Sequence, residues 1–261
     1  MTAPVLLLSL LSITVSFPLE PSGEVNLRYF FQHSLEHFMR GEVAGSMKTI
    51  EIDGLEWTFG LSTETFMGRQ WSHPEMVFHV WKAHWTILSQ WAYRVDPIDL
   101  RLYSEHECYH NIDMADTLGH YLNNVKIGAV YDPPLPLGSP TLRWLPEGGV
   151  PRGWLSAVSY IPRGTGLQKG HIYDWGIEGE ATVLLAARKS TCAGVTARSE
   201  MIVNQDGTTL GRIEGELFWG HHTETGGVDL FASYHFLDNR PIDPLEGQGW
   251  LGFRVYWGAP Y

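Results

Sequence analysis

His106-Glu107-Cys108-Tyr109-His110 is the densest run of chemically capable side chains in the chain. On a helix, imidazoles at positions i and i+4 share a face, roughly 40° apart. Both could reach one zinc ion through Nε2 at about 2.0–2.1 Å. Glu107 would then take a proton from zinc-bound water and pass it to a leaving group. A catalytic zinc needs a third protein ligand. Asp116 is the candidate, with His120 in its place if the chain turns later.

A second constellation lies downstream. His171, Asp174, Glu178 and Glu180 fall on a loop followed by a strand. On a regular strand Glu178 and Glu180 share a face. Paired carboxylates divide into acid and base when their environments differ. His221-His222 follows Trp219-Gly220 at a strand end, where a pocket lip often lies, and histidine titrates near neutral pH. Gly164-Thr165-Gly166 opens no helix after a strand, so it is no dinucleotide fingerprint. Ser159 and Ser233 lack the glycine context of a nucleophile elbow.

The elements that must position these groups divide the chain into a helix-rich part, 17–131, and a strand-rich part, 132–261. Residues 25–40 place Phe31, Leu35 and Phe38 on one helical face, with Gly41 as terminator. Ile50, Ile52, Trp57 and Phe59 flank Asp53-Gly54 and read as a hairpin. Ser72-His73-Pro74-Glu75 has the chemistry of a helix start. Phe78, Trp81, Trp85, Leu88, Ala92 and Val95 then recur at three-and-four spacing, which predicts a helix. Asp96-Pro97-Ile98-Asp99 predicts another, carrying His106 and His110. From 132 to 170 proline and glycine are dense, and short β-like runs follow over 181–187, 201–203, 208–219, 228–236 and 250–257. The fold class expected is α+β, its second part an antiparallel barrel or sandwich.

Cys108, Tyr109 and Asn111 are uncharged and Ile112 is apolar, and with His106 and His110 this run of about ten residues resembles the zincin metallopeptidases. The resemblance implies His106 and His110 as ligands, Glu107 as base and Asp116 in the metzincin third-ligand position. Asp113 stands where that group turns on glycine. The segment before the motif reads as helix, where zincins place a sheet.

Composition bounds the rest. A net charge of −11 without a Lys/Arg cluster argues against nucleic acid and against anionic membrane surfaces. Val5–Val15 is an apolar run too short to span a bilayer, and Thr14 and Ser16 suit cleavage of a leader over 1–16. Cys108 and Cys192 either bridge or remain thiols. With 11 Trp, 11 Tyr and 11 Phe, the chain has the material for an aromatic-walled pocket. The leading expectation is therefore a secreted or secretory-lumen enzyme with no membrane partner. It would bind a small organic or sugar-like ligand and need no cofactor. Cyclase, isomerase or lyase chemistry would run on His171, Asp174 and His221. The alternatives are the zinc hydrolase and a non-catalytic lectin-like module.

Overall fold

In the computed structural model the described residues are 13–32, 38–69, 75, 78–112, 120–133, 143–144, 150–161, 173–223, 225–240 and 244–258. Among them there is no helix. The strands in chain order begin with β1 (Val15–Ser16), β2 (Glu20–Phe30), β3 (Met39–Ile52), β4 (Leu55–Gly68) and β5 (His79–Val95). They continue with β6 (Ile98–Asn111), β7 (His120–Tyr131), β8 (Arg143–Trp144), β9 (Val150–Tyr160) and β10 (Tyr173–Arg188). The last four are β11 (Thr191–Asn204), β12 (Thr209–Thr223), β13 (Gly226–Asp238) and β14 (Gly249–Trp257).

All pairings are antiparallel, and all strands but β1 and β8 form a closed 12-strand barrel. Each barrel strand lies beside its neighbour in the chain, and β14 closes the ring on β2, with Val255 opposite Val25 and Trp257 opposite Gly23. Closure leaves no unpaired edge. The two-residue β1 pairs β3, and β8 pairs β10.

The wall alternates with period two, and the sense of the alternation sets this barrel apart. Outward positions are apolar and exposed: Val43, Leu61, Ile87, Leu102, Leu155, Leu230 and Leu251, with Ile127 at 67 % and Leu217 at 64 %. Inward positions carry Arg40, Glu64, Asn124, Glu214, Glu216 and Asp229, all buried. A barrel folded for water places its apolar side chains inside. Apolar-out and polar-in is the pattern of a barrel whose wall faces hydrocarbon. Spanning a bilayer takes about 9–11 tilted residues, and every barrel strand reaches that length.

The two barrel ends differ. At one end lie the start of β2, the end of β14, and tight turns at Asp53-Gly54, Asp96-Pro97 and Lys189-Ser190. The opposite end carries the connections after β2, β4, β6, β9, β11 and β13, whereas the longest connection, from β7 to β9, starts and finishes at the first end. Asp53 (φ 47°) and Gly54 (φ 82°) are both left-handed, as a type I′ hairpin turn requires. Gly54→Val should destabilise the barrel by about 1–2 kcal/mol, because a side chain there meets the penalty of the left-handed region. Chemical unfolding from lipid vesicles measures this.

The expected helix-rich part is corrected. Residues 25–30 lie in β2 and 39–40 in β3, while 33–37, with Leu35, lie outside the described residues; the spacing of Trp81 to Val95 lies in β5, and Asp96-Pro97 is a hairpin turn rather than a helix start. The hairpin at Asp53-Gly54 and the later β-like runs do coincide with strands. Residues 72–74, the body of the expected helix start, lie outside the described residues, as do 1–12 of the expected leader.

Candidate functional site

Alternation sends long charged side chains from every barrel strand into one lumen, where they pair across strands. Toward the loop end, Glu64 of β4 meets Arg40, Arg28 at 3.6 Å and His84 Nδ1 at 3.7 Å. His84 Nε2 lies 3.2 Å from Glu107, whose carboxylate also accepts from Tyr109 (3.0 Å) and Asn124 (3.2 Å). Lys126 bridges Glu105 (2.6 Å) and Glu178 (2.9 Å). Toward the turn end, Arg198 holds Glu180, Glu214 and Glu216 at 2.6, 3.4 and 3.0 Å. Arg254 joins Glu216 (2.9 Å) to Asp229 (3.1 Å), and Asp229 accepts from His222 at 2.7 Å.

These groups border two cavities. The loop-side one has about 360 Å³ and is lined by Glu64, His84, Glu107, Lys126, Glu178 and Arg240 among others. The turn-side one has about 400 Å³, bordered by Glu24, Glu180, Arg198, Asp229 and Arg254 among others. Arg28 and Glu42, 3.2 Å apart, border both and mark the waist between them. Along the turn-side lining carboxylates exceed Lys and Arg by five to four, while along the loop-side lining six carboxylates face five Lys and Arg side chains and His84. Above the loop-side cavity, Leu122, Val158, Tyr160, Tyr173, Ile202 and Leu210 form a buried apolar cluster. Leu245, from the connection after β13, is buried against the lumen.

The expected site residues are scattered. Glu107 points into the lumen, while His106 and His110 stand on the outer wall of β6, so the motif is split between two faces. Four residues of strand separate the two imidazole-bearing Cα atoms by roughly 13 Å, too far for one zinc. Among the described residues no group of three metal-capable side chains converges. Asp116 lies outside the described residues, and His120 begins β7 opposite Tyr109. Asp174 is exposed at the loop end of β10, whereas His221 is exposed at the turn end of β12, where its Nδ1 meets Ser190 Oγ at 3.1 Å. His171 is outside the described residues. Asp174 and His221 therefore sit at opposite ends of the barrel. Glu178 and Glu180 do share a face, the lumenal one.

Sequence reading missed the lumenal cations Arg28, Arg40, Lys126 and Arg198. The available signal was charge at i and i+2: Arg40/Glu42, Glu105/Glu107, Arg198/Glu200 and Glu214/Glu216. In a strand that spacing builds one polar face.

On the outer wall, His106 Nδ1 is 2.7 Å from Asn123 Oδ1, and its Nε2 is 3.7 Å from Cys108 Sγ. Tyr121 stacks near His106 at 6.2 Å and meets His110 edge-on at 5.9 Å, and Trp85 lies 5.0 Å from His110. Neither cysteine is bridged; Cys192 is buried.

No protein-family model matches the chain, and no curated protein sequence matches it. Solved structures do. An outer membrane channel from Pseudomonas putida F1 gives a TM-score of 0.53 at 12 % identity, over 94 % of this chain and 97 % of that one. Outer membrane phospholipase A from Escherichia coli gives 0.50 at 10 % identity, over 94 % and 100 %. At such identities the likeness is one of fold. Together with the apolar wall, it overturns the expected secreted enzyme, its lack of a membrane partner and its cyclase, isomerase or lyase chemistry. The lumen is lined by charge rather than by an aromatic pocket. The zinc hydrolase falls with the helix on which it depended, and the lectin-like module falls with the secreted fold.

Proposed function

We propose that this chain is an integral outer-membrane β-barrel whose lumen is a narrow passage for small hydrophilic solutes, preferring cations. One observation carries the reading: two charge-lined cavities lie in series and meet at the Arg28–Glu42 pair. Such a polar interior, walled by an apolar exterior, suits water-borne solutes and excludes lipid. The excess of carboxylates along the turn-side lining favours cations. The similar fold of a solved outer membrane channel supports the reading. The end with the tight hairpin turns at Asp53-Gly54, Asp96-Pro97 and Lys189-Ser190 would face the periplasm and the opposite end the exterior. A leader over residues 1–16 belongs to the proposal, since export must precede insertion. Its removal would take the two β1 pairings with β3 with it.

Planar-bilayer recording tests this. The folded barrel should give small conductance steps with a cation-selective reversal potential in a salt gradient. Arg28→Ala should enlarge the steps and sharpen the cation preference, since it clears the waist and removes a positive charge. Silence from both the natural chain and an Arg28→Ala/Glu42→Ala variant, each shown to be inserted, would overturn the passage.

A further inference from the structure

The outer wall holds a group that hydrocarbon contact does not explain. Around it the outward positions of β5, β6 and β7 include Ile87, Leu100, Leu102, Val125 and Ile127, apolar and exposed, with the Ser104–Ser89 pair next to His106. Within that surface, three polar side chains converge. His106 and Cys108 lie two residues apart on the outer face of β6, and Asn123 is the direct cross-strand partner of His106 on β7. Polar groups on a lipid-facing wall are costly and mark function.

Their geometry sets an imidazole beside a thiol and a carboxamide behind the imidazole. Asn123 Oδ1 accepts from the His106 Nδ1–H at 2.7 Å, which fixes the imidazole tautomer. His106 Nε2 is then left as the base, 3.7 Å from Cys108 Sγ, within reach of the thiol proton. Nucleophile, base and orienting group in this order recur on unrelated folds. Cys108 lies three residues before Asn111, the loop end of β6. Trp85 and Tyr121, both exposed, flank it. Tryptophan and tyrosine on a barrel exterior mark the level of the lipid headgroups. In a glycerolipid that level holds the acyl ester carbonyls.

We propose that Cys108, His106 and Asn123 form an acyl-transfer site on the lipid-facing wall, acting on acyl esters of lipids in the loop-side leaflet. The thiol proton moves to His106 Nε2 as Cys108 Sγ attacks the ester carbonyl carbon. The C–S bond forms, the ester C–O bond breaks, and the departing alkoxide takes the proton from His106 as it leaves as a lysolipid alcohol. Water then attacks the thioester, its proton passing through His106 to the Cys108 sulfur, and a fatty acid departs. Cys108 and His106 are catalytic residues; Asn123 is a positioning residue. The proposal rests on the membrane placement above and is independent of conduction through the lumen.

The test uses the full chain in phosphatidylethanolamine/phosphatidylglycerol vesicles, in a Cys192→Ala background so that one thiol remains. Mass spectrometry should find lysolipid and free fatty acid. Intact-protein mass should show an acyl adduct on Cys108 that hydroxylamine removes. Cys108→Ala and His106→Ala should each lower turnover by roughly two to four orders of magnitude. Asn123→Ala should lower turnover and move the pH profile of Cys108 alkylation by iodoacetamide. All three variants should retain the heat-dependent gel shift of a folded barrel. Cleavage of a water-soluble p-nitrophenyl acetate but not of vesicle lipid would overturn the lipid assignment. Equal turnover in Cys108→Ala, or identical alkylation profiles with and without His106, in barrels that insert, would overturn the site alone. Failure of the natural chain to insert would overturn both the site and the membrane reading.

Discussion

Arginine in place of Leu217 should cost the barrel about 2–4 kcal/mol in a bilayer. Leu217 stands midway along β12, 64 % exposed on the outer wall, paired with Ala232 and Val195 of the neighbouring strands. In hydrocarbon its replacement by a cation must be hydrated through a membrane defect or by snorkelling to the interface. On a water-facing surface the same substitution would change stability by roughly half a kcal/mol or less. Ile127→Arg on β7 should behave alike. Leu55→Arg, beside the short turn, should cost about 0–1 kcal/mol because it lies at the interface. Urea unfolding from vesicles of defined lipid, followed by tryptophan emission, separates these cases.

Arg198→Ala should be the most damaging change inside the lumen. Its guanidinium holds Glu180, Glu214 and Glu216, and the last two have side chains only 3 % and 2 % exposed. Without it these carboxylates face one another with too few cations, although Arg212 still reaches Glu214 and Arg254 still reaches Glu216. Removing one partner from a buried ionic cluster costs about 3–5 kcal/mol. A second change, Glu216→Gln, should recover part of the loss, because it removes one surplus charge. If Arg198→Ala unfolds at the same urea concentration as the natural chain, the lumen is hydrated enough to screen the cluster.

Some of this was legible in the residues and some was not. Asp53-Gly54 between apolar runs is a local hairpin signal, and both residues are left-handed as that signal requires. The second-half strand runs, with glycine between them, were legible for the same reason. In the first half the apolar residues cover the outside of the wall, so their spacing marks no inward stripe. In β5 the outward set is Trp85, Ile87, Ser89, Trp91 and Tyr93, while Leu88 and Ala92 fall on the inward set beside Gln90. Spacing of three and four therefore gathers apolar residues from both faces and imitates a helix. The register irregularity between Phe66 and Met67 of β4, opposite Val80 and Lys82, breaks the alternation further. Helical spacing pairs His106 with His110, whereas the strand pairs His106 with Cys108 on one face. The third member, Asn123, becomes visible only through the β6–β7 register, a long-range fact that no local pattern carries.

The most direct measurement is quenching of tryptophan emission by lipids brominated on their acyl chains. Trp85, Trp175 and Trp219 stand exposed on the outer wall. A barrel that spans the bilayer places them against lipid, so emission should fall strongly in brominated vesicles and little with an aqueous quencher such as iodide. Emission indifferent to brominated chains but quenched by iodide would put the apolar wall in water and contradict the membrane barrel.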